Sequence, residues 1–180
     1  MDLQKLLASA EEAATKPKYV LQSVDALEEE IRSALLKMIE RGGKSSGQLR
    51  KQLVEKEYPA ELIDSLLTRF TEVGLVDDFA LAKEHARVLF ERKGKAKTLI
   101  GMELREKGFP QDAIKDALTE IESDDELELA KEIALAKMAK TSATDKSSLE
   151  RKVAGFLARK GYPSSVVWSA VRYASEQLSR

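Results

Sequence analysis

The sequence predicts an all-α protein of three tandem three-helix repeats forming an elongated, curved body. Three observations carry this. A phrase recurs, as "LVEKEYPAELI" at 53–63, "LREKGFPQDAI" at 104–114 and "LARKGYPSSVV" at 157–167. Behind each proline, apolar residues return at intervals of three and four, the period of a helix. Aromatic residues are sparse, prolines number only 4, and no segment alternates convincingly like a strand.

Sliding the chain along itself extends the register well beyond the phrase. Leu53, Leu104 and Leu157 align, as do Lys56, Lys107 and Lys160. So do Pro59, Pro110 and Pro163, then Ile63, Ile114 and Val167, then Leu67, Leu118 and Val171. Leu49, Ile100 and Val153 fall in line further back, and the offsets are 51 and 53 residues. The implied divisions are an N-terminal arm at 1–23 and repeats at 24–73, 74–122 and 123–180.

Within each repeat the first helix is long. "VDALEEEIRSALLKMIER" places Leu27, Ile31, Leu35 and Ile39 on one face. "DDFALAKEHARVLFERK" places Ala82, Ala86 and Phe90 there, and "DDELELAKEIALAKMAK" offers Leu127, Ala130, Ala134 and Met138. The second helix turns Leu49 and Leu53 inward in the first copy. Gly108 and Gly161 suit the left-handed turn that closes a helix, whereas Glu57 stands in the first copy, so that turn is expected to differ. The third helix begins at the proline, whose missing N–H costs nothing in a first turn. Its apolar stripe is Leu62, Ile63, Leu66, Leu67 and Phe70 in the first copy. Ala113, Ile114, Ala117, Leu118 and Ile121 supply the second, and Val166, Val167, Ala170, Val171 and Ala174 the third. The longer third copy takes up its extra residues in "TSATDKSS", which reads as a flexible joint. A repeat of about 50 residues is too small to be secure alone, so neighbours are expected to pack.

Composition narrows the function classes. No stretch approaches 18 uncharged apolar residues, which excludes a membrane span, and the N-terminal segment has acids where a secretion signal needs bases. The chain has no cysteine, so disulfides and thiolate metal sites are excluded. A cytoplasmic monomer is the expectation. Net charge is −1 but unevenly spread: residues 1–40 hold 8 acids against 5 bases, while 140–180 hold 8 bases against 3 acids. An acidic front with a basic middle and rear suits a polyanion or a mixed-charge partner.

Searches for chemistry return structural readings. Gly43-Lys44-Ser45 invites a phosphate-loop reading, but the motif needs a glycine where Met38 stands and a strand where a helix is expected. That stretch reads as a turn with Ser46 as cap. His85, the only histidine, is expected to be a partly exposed structural residue, since the sequence around it carries no dyad or metal-ligand motif. Asp77-Asp78 and Asp124-Asp125 lie where long helices begin and suit capping. Trp168 is expected to be partly buried, and Tyr58, Phe109 and Tyr162 to pack at helix junctions. Neither a catalytic residue nor a bound metal or cofactor is called for, so the chain is expected not to be an enzyme. What remains is cationic. Arg50, Lys51 and Lys56 are followed by Lys97, Arg105 and Lys107, then Arg151, Lys152, Arg159 and Lys160. Together with Arg92, Lys93 and Lys95 these are the candidate contacts to a partner or to DNA. Lys and Arg in line suit phosphates, though Glu55, Glu103, Glu106 and Glu150 dilute them, so direct duplex binding should be weak.

The chain resembles the RecX family, regulators of RecA recombinase, over roughly residues 24–178. The most specific portion is "GLVDDFALAKEHARVLFERKGKAKTLIGMELREKGF", where Gly74, Leu75, Asp77, Asp78, Arg92, Lys93 and Gly94 match the family pattern. Ile100, Glu103, Leu104, Lys107 and Gly108 continue it, and "SSGQLRKQLVEKEYP" looks like the first-repeat segment. Leu81, Ala96-Lys97, "IERGGKS" and Glu57 depart from it. The resemblance implies a non-enzymatic protein of three three-helix repeats that binds the RecA filament on single-stranded DNA. It also implies restraint of filament growth, ATP hydrolysis, strand exchange and cleavage of the SOS repressor. The alternatives are a helix-turn-helix module acting directly on DNA and a helical scaffold for another protein.

Overall fold

A computed structural model describes residues 23–143 and 145–179. The arm expected at 1–23 lies outside the described residues, apart from Ser23. The described residues hold helices and turns, with no strand among them. The helices are α1 (Val24–Glu40), α2 (Ser46–Val54), α3 (Ala60–Glu72), α4 (Asp78–Arg87), α5 (Lys97–Glu106), α6 (Gln111–Thr119), α7 (Ser123–Ala139), α8 (Lys146–Arg159) and α9 (Ser164–Gln177). They fall in order into three trios.

Local chemistry explains the boundaries. Ser23 caps α1, its hydroxyl accepting from the Ala26 N–H at 3.3 Å. The cap of α2 is Ser45, not Ser46: Ser45 Oγ accepts from the Gln48 N–H, and Gln48 Oε1 accepts from the Ser45 N–H. This reciprocal pair satisfies two otherwise orphaned donors. Pro59 and Pro163 occupy the cap positions, so α3 and α9 begin one residue later than expected. Asp77 takes the expected capping role on α4, accepting from the Ala80 N–H at 2.9 Å.

Leu118 and Val166, expected inward, are only partly buried, and at three further positions a neighbour is buried in place of the expected residue. Met38 is buried rather than Ile39, which packs against the core only partly. Leu89 is buried rather than Phe90. A helix turns about 100° per residue, so three steps of four carry Ile39 roughly 120° round from Leu27, whereas Phe90 lies in a π-helical turn, where the winding is wider. In α7 the buried residue is Glu126 rather than Leu127. The position fits the stripe of Ala130, Ala134 and Met138, and a hydrogen bond described below accounts for the buried carboxylate. Trp168 is also a correction: it is 49% exposed, one position past the inward Val167. Tyr58, Phe109 and Tyr162 are buried at the helix junctions, as expected.

The chain divides into two compact units. One comprises residues up to Leu81 together with Lys107–Pro110. Its core is built from α1, α2 and α3, with Ile31, Leu35, Leu49, Leu53, Ile63 and Leu66 almost fully enclosed. The other comprises Ala82–Glu106 and the chain from Gln111 onward. Here α9 packs along α7 and α8 lies against both. Val153, Leu157, Val167 and Val171 fill that core beside Ala130 and Ala134.

Each unit contains a similar hydrogen-bonded seat. In the first, the Ser46 N–H donates to Asp78 Oδ1 at 2.9 Å and the Ser46 hydroxyl donates to Asp78 Oδ2. Ser45 Oγ donates to the Lys107 carbonyl. The backbones are so close that a Cβ on Gly47 would stand 2.2 Å from the Gly108 carbonyl oxygen. In the second, the Lys97 N–H donates to Glu126 Oε1 at 2.8 Å, and the Ala96 N–H donates to the Lys160 carbonyl at 2.9 Å. A Cβ on Gly161 would stand 2.7 Å from Leu99 Cβ. Thus the start of a second helix takes a carboxylate from the next trio's first helix and rests on the turn closing the next trio's second helix. Those turns are left-handed at Gly108 (φ +73°) and Gly161 (φ +88°). The first copy does not differ as expected: Glu57 adopts φ +65°, and the Tyr58 N–H still closes onto the Leu53 carbonyl as Tyr162 does onto Leu157.

Candidate functional site

α4 runs on into a π-helical turn at Val88–Arg92, capped by Lys93. Such wide turns are often found at functional sites. Here it delivers Arg92, Lys93 and Gly94 to one rim of a cavity of about 360 Å³. The facing wall is α7, whose residues Leu129, Ile133, Ala136 and Lys137 recur at helical spacing, with Lys140 at its C-terminal cap. Phe156 of α8 and Lys160 at the C-terminal cap of α8 close it. All of these residues belong to the second unit.

The floor of this cup is apolar and its rim cationic. Leu129, Ile133 and Phe156, all partly buried, supply the floor, while Glu91 is the one carboxylate among the lining side chains, against five cations. Lys137 Nζ lies 4.9 Å and Lys160 Nζ 5.4 Å from the centre of the Phe156 ring. Ammonium groups so placed are attracted to the ring quadrupole. Lys160 Nζ also donates to the Lys93 carbonyl, tying α8 to the turn. Burial, and secondarily the charge of Lys95, lowers the pKa of Lys160 below the usual lysine value. Its charge is therefore held at a cost that a nearby anion would offset.

The turn is braced from beneath. Tyr162 donates its phenol to the Gly94 carbonyl at 3.2 Å. Burial and then the neighbouring Glu126 push the phenol pKa up to about 12. Gly94 has φ +57°, and a Cβ there would meet Ile133 Cδ1 at 2.6 Å. The glycine therefore answers both a backbone and a space requirement.

The cations singled out in the sequence are only partly brought together. Arg92, Lys93 and Lys160 meet in the cup. Lys95 is paired with Glu103, both about three-quarters covered. Lys97 donates its ammonium to the Ile121 carbonyl at 2.6 Å, a structural bond rather than a free contact. Arg105 donates to Gln111 Oε1 at 3.2 Å beside a separate cavity floored by Gly101, Ile114 and Leu118. Lys107 lies in the first unit, where its carbonyl receives Ser45. Arg151 and Lys152 are exposed and bond to backbone carbonyls of Ser147 and Ser142, and Arg159 is exposed on the last turn of α8. Lys137, Lys140 and Phe156 were missed by sequence reasoning. The spacing from Leu129 to Lys140, beside the alanine stripe, marks the two lysines as sharing one helix face, but Phe156 joins them only through packing.

Comparisons with known proteins agree on one family. A profile described as the second three-helix domain of RecX matches residues 77–118, and one for the third matches 124–171. The regulatory protein RecX of Streptomyces coelicolor is 32% identical over 149 residues, covering 83% of this chain and 79% of the relative. That of Thermobifida fusca is 29% identical over 141 residues, covering 78% and 76%. A crystal structure of regulatory protein RecX superposes with a TM-score of 0.73 at 27% identity, over 81% of this chain and 73% of that one. RecX from Lactobacillus salivarius superposes with a TM-score of 0.76, over 84% of this chain and 98% of that one, and at 15% identity attests the fold alone.

Proposed function

This chain belongs to the RecX family, and from that premise we propose that it is a non-enzymatic regulator of RecA recombinase. It binds the RecA filament on single-stranded DNA and restrains filament growth, and with it ATP hydrolysis, strand exchange and repressor cleavage. The observation that carries this reading is the ordered match of two family three-helix domains, preceded by a third trio of the same construction. In this reading residues 24–73, 74–122 and 123–180 are the three copies, each offering contacts too weak to act alone. Linked contacts gain from effective concentration, so several modest patches suffice. The protein acts in the cytoplasm as a monomer and uses no cofactor. No helix among the described residues is long and apolar enough to cross a membrane.

The direct helix-turn-helix reading is less supported. Lys97, at the start of the second helix of its trio, and Lys95 just before it are engaged within the chain rather than left for phosphates. The deciding experiment measures ATP hydrolysis by RecA on single-stranded DNA with increasing amounts of this protein. Hydrolysis is expected to fall at protein levels well below those that saturate the DNA. Unchanged hydrolysis and unchanged filament length at excess protein would overturn the reading.

A further inference from the structure

We propose that the cup between the π turn, α7 and α8 takes an acidic segment of a protein partner. The segment seats one apolar side chain on Leu129, Ile133 and Phe156 and places its carboxylates against Lys93, Lys137 and Lys140. The inference deepens the filament-regulator reading, on which it rests for the partner's being a protein.

Charge complementarity gives the sign of the occupant: five cations face one carboxylate around the opening. Shape and polarity give its class. An apolar floor gains nothing from a phosphodiester, whereas a buried apolar side chain gains about 25 cal/mol for each Å² removed from water. The cavity is also the size of a side chain or two rather than a track for a strand. An acidic peptide with an apolar anchor matches floor and rim together.

The test uses the full chain, followed by NMR through the methyl signals of Leu129 and Ile133 and the amide of Gly94. The probe is an acetylated, amidated peptide with one central Phe flanked by Asp and Glu on both sides. Its binding is expected to shift these signals, and K137E/K140E is expected to weaken it roughly tenfold or more, in line with losses at desolvated charged contacts. Lys140 is exposed and Lys137 partly so, neither belongs to the buried stripe of α7, and an unchanged circular dichroism spectrum verifies that the variant folds. The proposal is overturned if the signals do not move. It is also overturned if a peptide with Ser in place of Phe binds equally well, or if oligothymidylate displaces the peptide from the same signals. RecA assays separate the two readings. A wild-type protein that inhibits hydrolysis while K137E/K140E inhibits equally sinks the cup and spares the regulator. A wild-type protein that binds the peptide but leaves hydrolysis unchanged sinks the regulator and spares the cup.

Discussion

Tyr162 ties a buried phenol to the Gly94 turn, and its ionisation makes that tie measurable. The unfolded phenol ionises near 10.0 and the folded one near 12, so over that interval the unfolded chain sheds a proton that the folded chain keeps. The stability from this difference is complete below the lower value and declines as pH rises towards the upper one. Tyr162→Phe should flatten this alkaline decline relative to wild type, as read from urea midpoints at stepped pH. It should also cost about 1 kcal/mol at neutral pH through the lost buried hydrogen bond. Glu57 offers the opposite experiment. It holds φ +65° with a side chain attached, a conformation that costs an L-residue about 1 kcal/mol or more. Glu57→Gly should therefore stabilise the protein by roughly 0.5–1 kcal/mol, seen as a raised urea midpoint. Gly47→Ala should do the reverse. Helix propensity favours alanine, but a Cβ 2.2 Å from the Gly108 oxygen forces backbone movement costing about 1–3 kcal/mol. Gly42→Ala, with open space around it, tests strain at positive φ without the clash.

Helices were the level at which the sequence was most readable. Repeat register fixed all nine described helices in type and order, because burial at every third or fourth position is a strong periodic signal. Leu104 and Ile114 were marked as core and are 0% and 2% exposed. Replacing either by alanine should cost about 2–5 kcal/mol, checked by thermal or chemical unfolding. What the pattern hid was polar. Glu126 was passed over because a carboxylate in an apolar stripe looks exposed, yet it caps α5 through the Lys97 N–H. Glu126→Ala should leave that donor unsatisfied and cost about 1–2 kcal/mol, whereas Glu126→Gln, which keeps an acceptor, should cost less. The cup was half legible for a related reason. Arg92 and Lys93 stand out as a basic pair, but only tertiary packing brings Lys137, Lys140 and Phe156 beside them. Lys97 misled in the other direction, since charge in a sequence does not reveal an intrachain carbonyl such as that of Ile121.

For the whole molecule, charge distribution matters more than net charge. A value of −1 conceals a cationic cup whose contacts would be screened within a Debye length of about 8 Å at physiological salt. Under the proposed regulator reading, inhibition of RecA hydrolysis should therefore weaken as ionic strength rises, with the apparent inhibition constant increasing steadily across a salt titration. A flat profile would mean that apolar contacts dominate and that the cationic rim faces water in the complex.

The two seats have an architectural corollary. Each mates unlike ends, a helix start on one side with a carboxylate and a closing turn on the other. A joint of that kind is directional and does not exhaust itself, as head-to-tail interfaces in general do not. With the copies bounded as proposed, a duplicate of residues 74–122 spliced in after Glu122 would present a plug to the module ahead and a socket to the one behind, so copy number would be open to change by simple duplication.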